Sequence, residues 1–344
     1  MNTKKLETQI VHNLAKSRKS IWELLALDHF PLKDFIEVVN RLYKEGIIDS
    51  DGESLFLTEK GKKKVDSEYL EFESRLCEKC CGKRVVFGER FNEILEKFRE
   101  IVKRRPLPTL DYFQGYMREY DTVARVALMH YYGDLCRKDF ILIGDDDLLS
   151  IALSLSGFPS RIVVLDIDGR ISEFLKEVNR QYGFNIEFHK YDVSDPLPEE
   201  FVGKFDVFSS EPLETLSGLK AFVLRGIVSL KDNGVGYFGL TTLEASPEKW
   251  LSIEKMVTEK GCMITDIIRD FSFYPTTYDS VSYETFVAKF EFPVKKNPGV
   301  DWYRSSLFRI EVLKRPSPDI NEKVKIEAID PEDDVTYPNF YRKI

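Results

Sequence analysis

The stretch DFILIGDDDLLSIAL, residues 139–153, decides the fold class. Phe140–Ile143 form a short apolar run of strand length, Leu148–Leu153 an apolar run of helical character, and Gly144 with three aspartates fills the turn between them. The same alternation continues downstream. RIVVLDID (161–168), IEFHKYD (186–192), FDVFSS (205–210) and VGYFGLTT (235–242) read as strands, separated by helical stretches near 148–156, 170–183, 214–230 and 247–260. This order predicts parallel strands joined by right-handed crossovers, a Rossmann-like doubly wound α/β sheet. Ligands on such a sheet bind beyond the carboxyl ends of its strands, so those ends hold the candidate site.

The strand ends carry acids. Asp145, Asp146 and Asp147 follow the first strand, where mutual repulsion of three carboxylates calls for a cationic ligand among them; a helix N-terminus offsets only about 0.3–1 kcal/mol per charge. Asp166 and Asp168 close the second strand, at the distance from Gly144 where an acid meets ribose hydroxyls. Asp192 closes the third, placed to accept a bond from an adenine amino group, and Glu211 and Glu214 follow the fourth. A Gly-Lys-Ser/Thr phosphate loop, a GxGxxG turn and an HExxH helix are all missing from the sequence. Together these features suggest an adenosine-bearing ligand without phosphates, of the adenosyl-sulfonium class, meeting a second ligand rich in positive charge. An S-adenosylmethionine carboxylate would be repelled by the acid triplet, whereas the decarboxylated compound presents an ammonium instead. A methyltransferase acting on an amine or nucleic acid is the alternative enzyme, and a ligand-sensing regulator the non-enzymatic one.

The remaining sequence surrounds this unit. The chain has 344 residues, 43% hydrophobic and 31% charged, with a net charge of −8, a composition that excludes a disordered chain and does not favour a phosphate-backbone partner. With neither a long apolar run nor an N-terminal apolar leader, a cytoplasmic protein is expected. Residues 1–75 read as a winged helix-turn-helix domain, with Ser20 as an N-cap, a third helix near 32–45 and a hairpin around Asp51-Gly52. They hold 13 Lys+Arg against 14 Asp+Glu, and only Lys60 and Lys62–Lys64 cluster, so packing or homodimerisation is expected rather than nucleic-acid binding. Residues 76–135 form a connector with Cys77, Cys80 and Cys81; Cys77 and Cys80 have the spacing of half a zinc ribbon, and the other half is missing. Residues 136–292 form the catalytic domain and 293–344 a C-terminal extension. From Asp319 to Thr336 that extension has seven acids against two lysines, which reads as a mobile tail or as a lid in which Tyr337 or Tyr341 closes the mouth.

Residues 106–344 resemble the branched-chain polyamine synthases, the N4-bis(aminopropyl)spermidine synthase family. The resemblance rests on Gly144-Asp145-Asp146-Asp147, TVARVALM (122–129), FDVF with the following Pro212-x-Glu214-Thr215, and WYRSSLFRIE (302–311). It implies transfer of aminopropyl groups from decarboxylated S-adenosylmethionine, a co-substrate rather than a bound cofactor, to spermidine, and it implies thermophilic relatives. It places the acid-base role on the triplet, with Asp147 first by alignment to the GGGD turn of linear aminopropyltransferases and Asp146 or Asp145 assisting. Gly144, Gln114, Asp166, Asp168 and Asp192 would then hold the donor, and Glu211, Glu214, Asp333 and Asp334 the polyamine. The chain departs from the family's Asp-Pro-Pro-Glu-Thr at Glu211-Pro212-Leu213, and from its Asp-Gln-Gly at Phe113.

Overall fold

A computed structural model describes residues 3–70, 76–314, 321–330 and 333–336. Three helices, α1 (Thr3–Lys16), α2 (Ile21–Leu27) and α3 (Leu32–Lys44), precede the antiparallel pair β1 (Ile48–Ser50) and β2 (Leu55–Leu57), and the short helices α4 (Glu59–Lys62) and α5 (Ser67–Leu70) follow. Ser20 starts α2 through a capping box: its hydroxyl accepts from the Glu23 amide while the Glu23 carboxylate accepts from the Ser20 amide. Lys60 donates to the Glu45 carbonyl, and Lys62 and Lys64 pair with Glu59 and Glu7, so these three lysines are engaged locally.

The apolar face of this unit is not closed on itself. Trp22 meets Phe286 and Trp302 at ring separations of 6.0 and 6.2 Å, and Phe35 meets Phe290 at 6.4 Å, so one core runs from α1–α3 into residues 286–302. The segment read as a connector likewise packs against the sheet. Its helices α6 (Glu89–Val102) and α7 (Glu119–Tyr132) bury Phe98, Ile101, Val123 and Val126 in the core that holds Phe140, Leu142 and Val164.

The sheet has seven strands in the order β5-β4-β3-β6-β7-β9-β8. Its parallel part is the expected one: β3 (Asp139–Ile143), α8 (Leu149–Ser156), β4 (Arg161–Asp166), α9 (Gly169–Tyr182), β5 (Ile186–Lys190), β6 (Phe205–Ser210), α10 (Leu216–Ser229), β7 (Leu230–Thr241) and α11 (Pro247–Glu259). Two further strands, β8 (Cys262–Phe273) and β9 (Arg304–Val312), are absent from the sequence reading, and β9 inserts antiparallel between β7 and β8. The sheet therefore runs past residue 292, into the stretch assigned to the C-terminal extension. β9 is hard to recognise because buried arginines interrupt its apolar pattern, Arg304 pairing with Asp270 and Arg309 with Asp134 and Glu311.

Chain direction across the sheet diverges at β3, whose successors β4 and β6 lie on its two sides, and this opens a crevice beyond their carboxyl ends. Close packing beneath the crevice depends on Gly226 in α10, where a Cβ would collide with the Phe208 ring. Gly226→Ala is expected to cost about 1–3 kcal/mol by overpacking, read as a lowered thermal midpoint; a melt unchanged from the parent would show that the ring can move aside.

The acidic tail is docked where it is described. Val324 donates from its backbone to the Ser194 carbonyl, Arg225 holds the Glu322 carbonyl, and Glu327 donates its amide to Ser217. Asp333 and Asp334 are buried, so the expectation of a solvated segment fails at these residues: Lys33 and Lys249 supply the charge that holds it down. Tyr337 and Tyr341, the proposed closing residues, lie outside the described residues, as do Asp319 and Glu332. Among the described residues no helix is long and apolar enough to cross a membrane.

Candidate active site

The crevice is a cavity of about 210 Å³ lined from β3, β4, β5, β6 and β7 ends. On the β4–β5 side Asp166, Ile167, Tyr191 and Asp192 form its wall; Glu214, Glu244, Tyr303 and Thr336 form the wall on the β6–β7 side; Asp146 follows β3 between them.

The three adjacent aspartates have separate surroundings. Asp145 is buried and caps the start of α8: one carboxylate oxygen accepts from the Ser150 amide at 3.1 Å and the other from the Ser150 hydroxyl. Asp147 is also buried, accepting from the Met117 amide at 2.5 Å. Neither lines the cavity. Asp146 does, and burial, followed by repulsion from Asp166 and Glu211, pushes its carboxyl up to about 7. The residue put first by the sequence, Asp147, thus stands behind the wall, and the residue named as its helper faces the space. The local reason is the turn, in which Leu148 takes a left-handed conformation (φ 57°) and neighbouring side chains point in different directions.

The donor candidates divide as well. Gly144, Gln114, Asp166 and Asp192 line the cavity. Asp168 does not: it caps α9, and its carboxylate is held by Gln114 at 2.9 Å and by Arg170. Burial pushes the Asp168 pKa up, but the bonds from Arg170 and Gln114 outweigh it and leave it low. Asp168 therefore acts on the cavity through Gln114, whose Nε2 it fixes. Asp166 accepts from the Asp145 and Asp168 amides, both at 2.8 Å, which locks it across the strand ends.

Glu211, on the cavity wall, is clamped through both oxygens. The buried Arg125 guanidinium and the Tyr274 hydroxyl each donate to one of its oxygens, and Arg125 also donates to Ser209 at 3.3 Å and Ser272 at 3.2 Å. Its carboxylate lies over Gly239, where any Cβ would strike it. Glu214 lines the same side with one buried oxygen lacking a protein partner, and burial followed by repulsion from Glu244 and Glu211 raises its pKa well above the usual range. Asp333 and Asp334 stand one layer out, away from the cavity wall, while Thr336 reaches it.

Sequence reasoning missed Glu244, Arg125 and the tyrosines Tyr274, Tyr283 and Tyr303. Glu244 accepts from Thr336 through one oxygen and from Tyr303 at 2.9 Å through the other. Among the described residues, Cys77 and Cys80 included, no group of three or more His, Cys, Asp or Glu could hold an ion.

Residues 93–336 match the family model of the branched-chain polyamine synthase A C-terminal domain. The chain belongs to the branched-chain polyamine synthase family. It is 41% identical to N(4)-bis(aminopropyl)spermidine synthase of Thermococcus kodakarensis over 298 residues, 86% of this chain and 84% of that one. The synthase of the same name from Thermus thermophilus is 35% identical over 325 residues, 94% of this chain and 90% of that one. A crystal structure of the Thermus thermophilus branched-chain polyamine synthase, a C9 mutein in complex with N4-aminopropylspermidine and 5'-methylthioadenosine, superposes with a TM-score of 0.81 at 32% identity, covering 95% of this chain and 91% of that chain. Family membership accords with the α/β architecture and with the acid-rich strand ends, and it extends through the β8–β9 pair.

Proposed function

We propose that this protein is an aminopropyltransferase that moves aminopropyl groups from decarboxylated S-adenosylmethionine to spermidine and releases methylthioadenosine. The observation that carries this reading is the position of Asp146, its carboxyl pushed up to about 7, between the wall that holds Asp166 and Asp192 and the wall that holds Glu214 and Glu244. The adenosyl group would lie against Asp166, Ile167 and Asp192, with Gln114 beside it. Glu214 and Glu244 would take ammonium groups of the acceptor.

In the first transfer the secondary amine of spermidine attacks the methylene attached to the sulfonium. A C–N bond forms, the C–S bond breaks with its electron pair going to sulfur, and Asp146 takes the amine proton. The second acceptor nitrogen is tertiary and ends as a quaternary ammonium with no proton to lose. There the carboxylate serves only to remove the proton that ties up the lone pair before attack. No bound cofactor is required by this scheme.

The N-terminal unit we read as a winged helix, supported by the order of three helices and a hairpin, with a packing role in place of nucleic-acid binding.

Incubation with decarboxylated S-adenosylmethionine and spermidine tests the function by product mass. Two added aminopropyl units with methylthioadenosine released are expected; no gain on any polyamine, together with methyl transfer from S-adenosylmethionine, would replace this reading with the methyltransferase one.

The raised carboxyls give a second test. Asp146 and Asp334 both move from an ordinary 3.8 to about 7, so the stability gained in their protonated forms is present at low pH and lost as pH rises through 7. The unliganded protein is expected to melt lower at pH 8 than at pH 6, and spermidine, cationic at both, to raise the midpoint by several degrees more at pH 8. Equal shifts at the two pH values would mean that spermidine does not meet the Asp146 carboxyl that lines the cavity.

A further inference from the structure

In three-helix variants of the DNA-binding helix-turn-helix the third helix enters the groove, yet α3 is committed to other parts of this chain. Phe35 packs on Phe290, Asn40 donates to the Lys289 carbonyl and accepts from the Glu291 amide, and Lys44 pairs with Glu291 at 2.7 Å. Its first turn reaches the wall of the cavity. The Leu32 amide donates to the Leu243 carbonyl at 2.8 Å, one residue before Glu244, and Lys33 pairs with Asp333 at 2.6 Å.

We propose that the first turn of α3 clamps the acceptor side of the cavity, with Lys33 as a positioning residue for Glu244. The contacts form a closed circuit. Asp333 is shared between Lys33 and Lys249, the latter at 3.2 Å, and Lys249 also holds Asp330 at 2.7 Å and the carbonyls of Glu214 and Glu244, each at 3.2 Å. Three residues after Asp333, the Thr336 amide donates to the Glu244 carboxylate at 3.1 Å, and the Thr336 hydroxyl donates to the same oxygen. Glu244 is thereby aimed from above by the tail and from its own backbone by α3. Lys33 bears on both, since it neutralises the aspartate whose docking places Thr336, and its neighbour Leu32 fixes the strand end that carries Glu244. Among the described residues, a tail held only by Lys249 would leave Asp330, Asp333 and Asp334 sharing one cation. The N-terminal unit then serves as a wall support for the acceptor pocket, and its groove-reading helix is spent on that task.

The kinetic consequence rests on the aminopropyl-transfer reading; the docking itself does not. Two readouts on the full chain separate them. In Lys33→Ala the KM for spermidine is expected to rise roughly 3–10-fold, the scale of losing one partly buried ion pair, while the KM for decarboxylated S-adenosylmethionine holds and Lys33→Arg restores the parent value. Hydrogen exchange at the amides of Asp334 and Thr336 is expected to quicken in Lys33→Ala and not in Lys33→Arg, whatever the substrate proves to be. Unchanged exchange at both amides would overturn the clamp. So would a rise in both KM values by the same factor, which marks a general loosening of the fold. If the parent protein fails to turn over spermidine, the function assignment falls and the exchange comparison alone decides the clamp.

Discussion

Asp146→Asn is expected to reduce kcat for aminopropyl transfer by about 10²–10⁴-fold, the usual worth of a positioned base, without unfolding the protein. Asp146 borders open space, so an amide of equal size adds no clash, and the substitution removes one of the repelling charges around Asp166 and Glu211. Asp145→Asn and Asp147→Asn should act differently. Both carboxyls are buried behind the cavity wall and tied to protein partners, Asp145 to Ser150 and Asp147 to the Met117 amide, so loss of either is a packing and hydrogen-bond change. Asp145 in particular orders the Gly144 turn through Ser150, and its substitution should appear mainly as a lowered melting temperature. Release of methylthioadenosine, followed by chromatography alongside thermal melts of the three variants, separates the roles. If Asp146→Asn retained near-parental turnover while Asp147→Asn abolished it at unchanged stability, the base would be Asp147, and the cavity wall would have to rearrange on binding.

The triplet shows how far a sequence can be read. Local periodicity placed β3 to β7 and the helices between them to within a few residues, because β3, β4, β6 and β7 hold apolar runs, β5 alternates at the sheet edge, and each helix has buried residues. Which of three adjacent aspartates faces a ligand is set by the left-handed turn at Leu148 and by partners at Met117 and Ser150, and these contacts are invisible in the spacing alone. Glu244 was within reach. It follows β7 just as Glu211 follows β6, and the same strand-end argument, carried to the fifth strand, identifies it. Arg125 was not, since an arginine inside the apolar TVARVALM helix has meaning only once Glu211, Ser209 and Ser272 surround it. Whether the tail docks stayed open for a similar reason: its composition fits a solvated segment as well as a lid, and the lysines that hold it, Lys33 and Lys249, lie in elements far away in sequence.

Arg125→Met is expected to cost about 3–5 kcal/mol, because it strips the cation from a buried ion pair and leaves Glu211 uncompensated. For a chain of this size the melting temperature should fall by about 4–7 °C. The guanidinium stays charged despite burial, which acts to lower its pKa, because the Glu211 carboxylate beside it outweighs that cost. Removing both charges changes the sign of the argument. Arg125→Met with Glu211→Leu deletes the pair, so no carboxylate is stranded, and most of the lost stability should return. Activity should not return with it. Glu211 is one of the two carboxylates whose repulsion keeps the Asp146 carboxyl near 7; without it that pKa falls, and a weaker base is left at the reacting nitrogen. The double variant is therefore expected to melt several degrees above Arg125→Met, yet to transfer aminopropyl groups more slowly than the parent, with the acidic limb of its pH–rate profile moved to lower pH. A single variant that melts with the parent would show the pair to be energetically idle. A double variant with parental turnover and an unmoved acidic limb would show that Glu211 has no electrostatic hold on Asp146, and the coupling of the β6 turn to the β3 turn would be lost as the basis of catalysis.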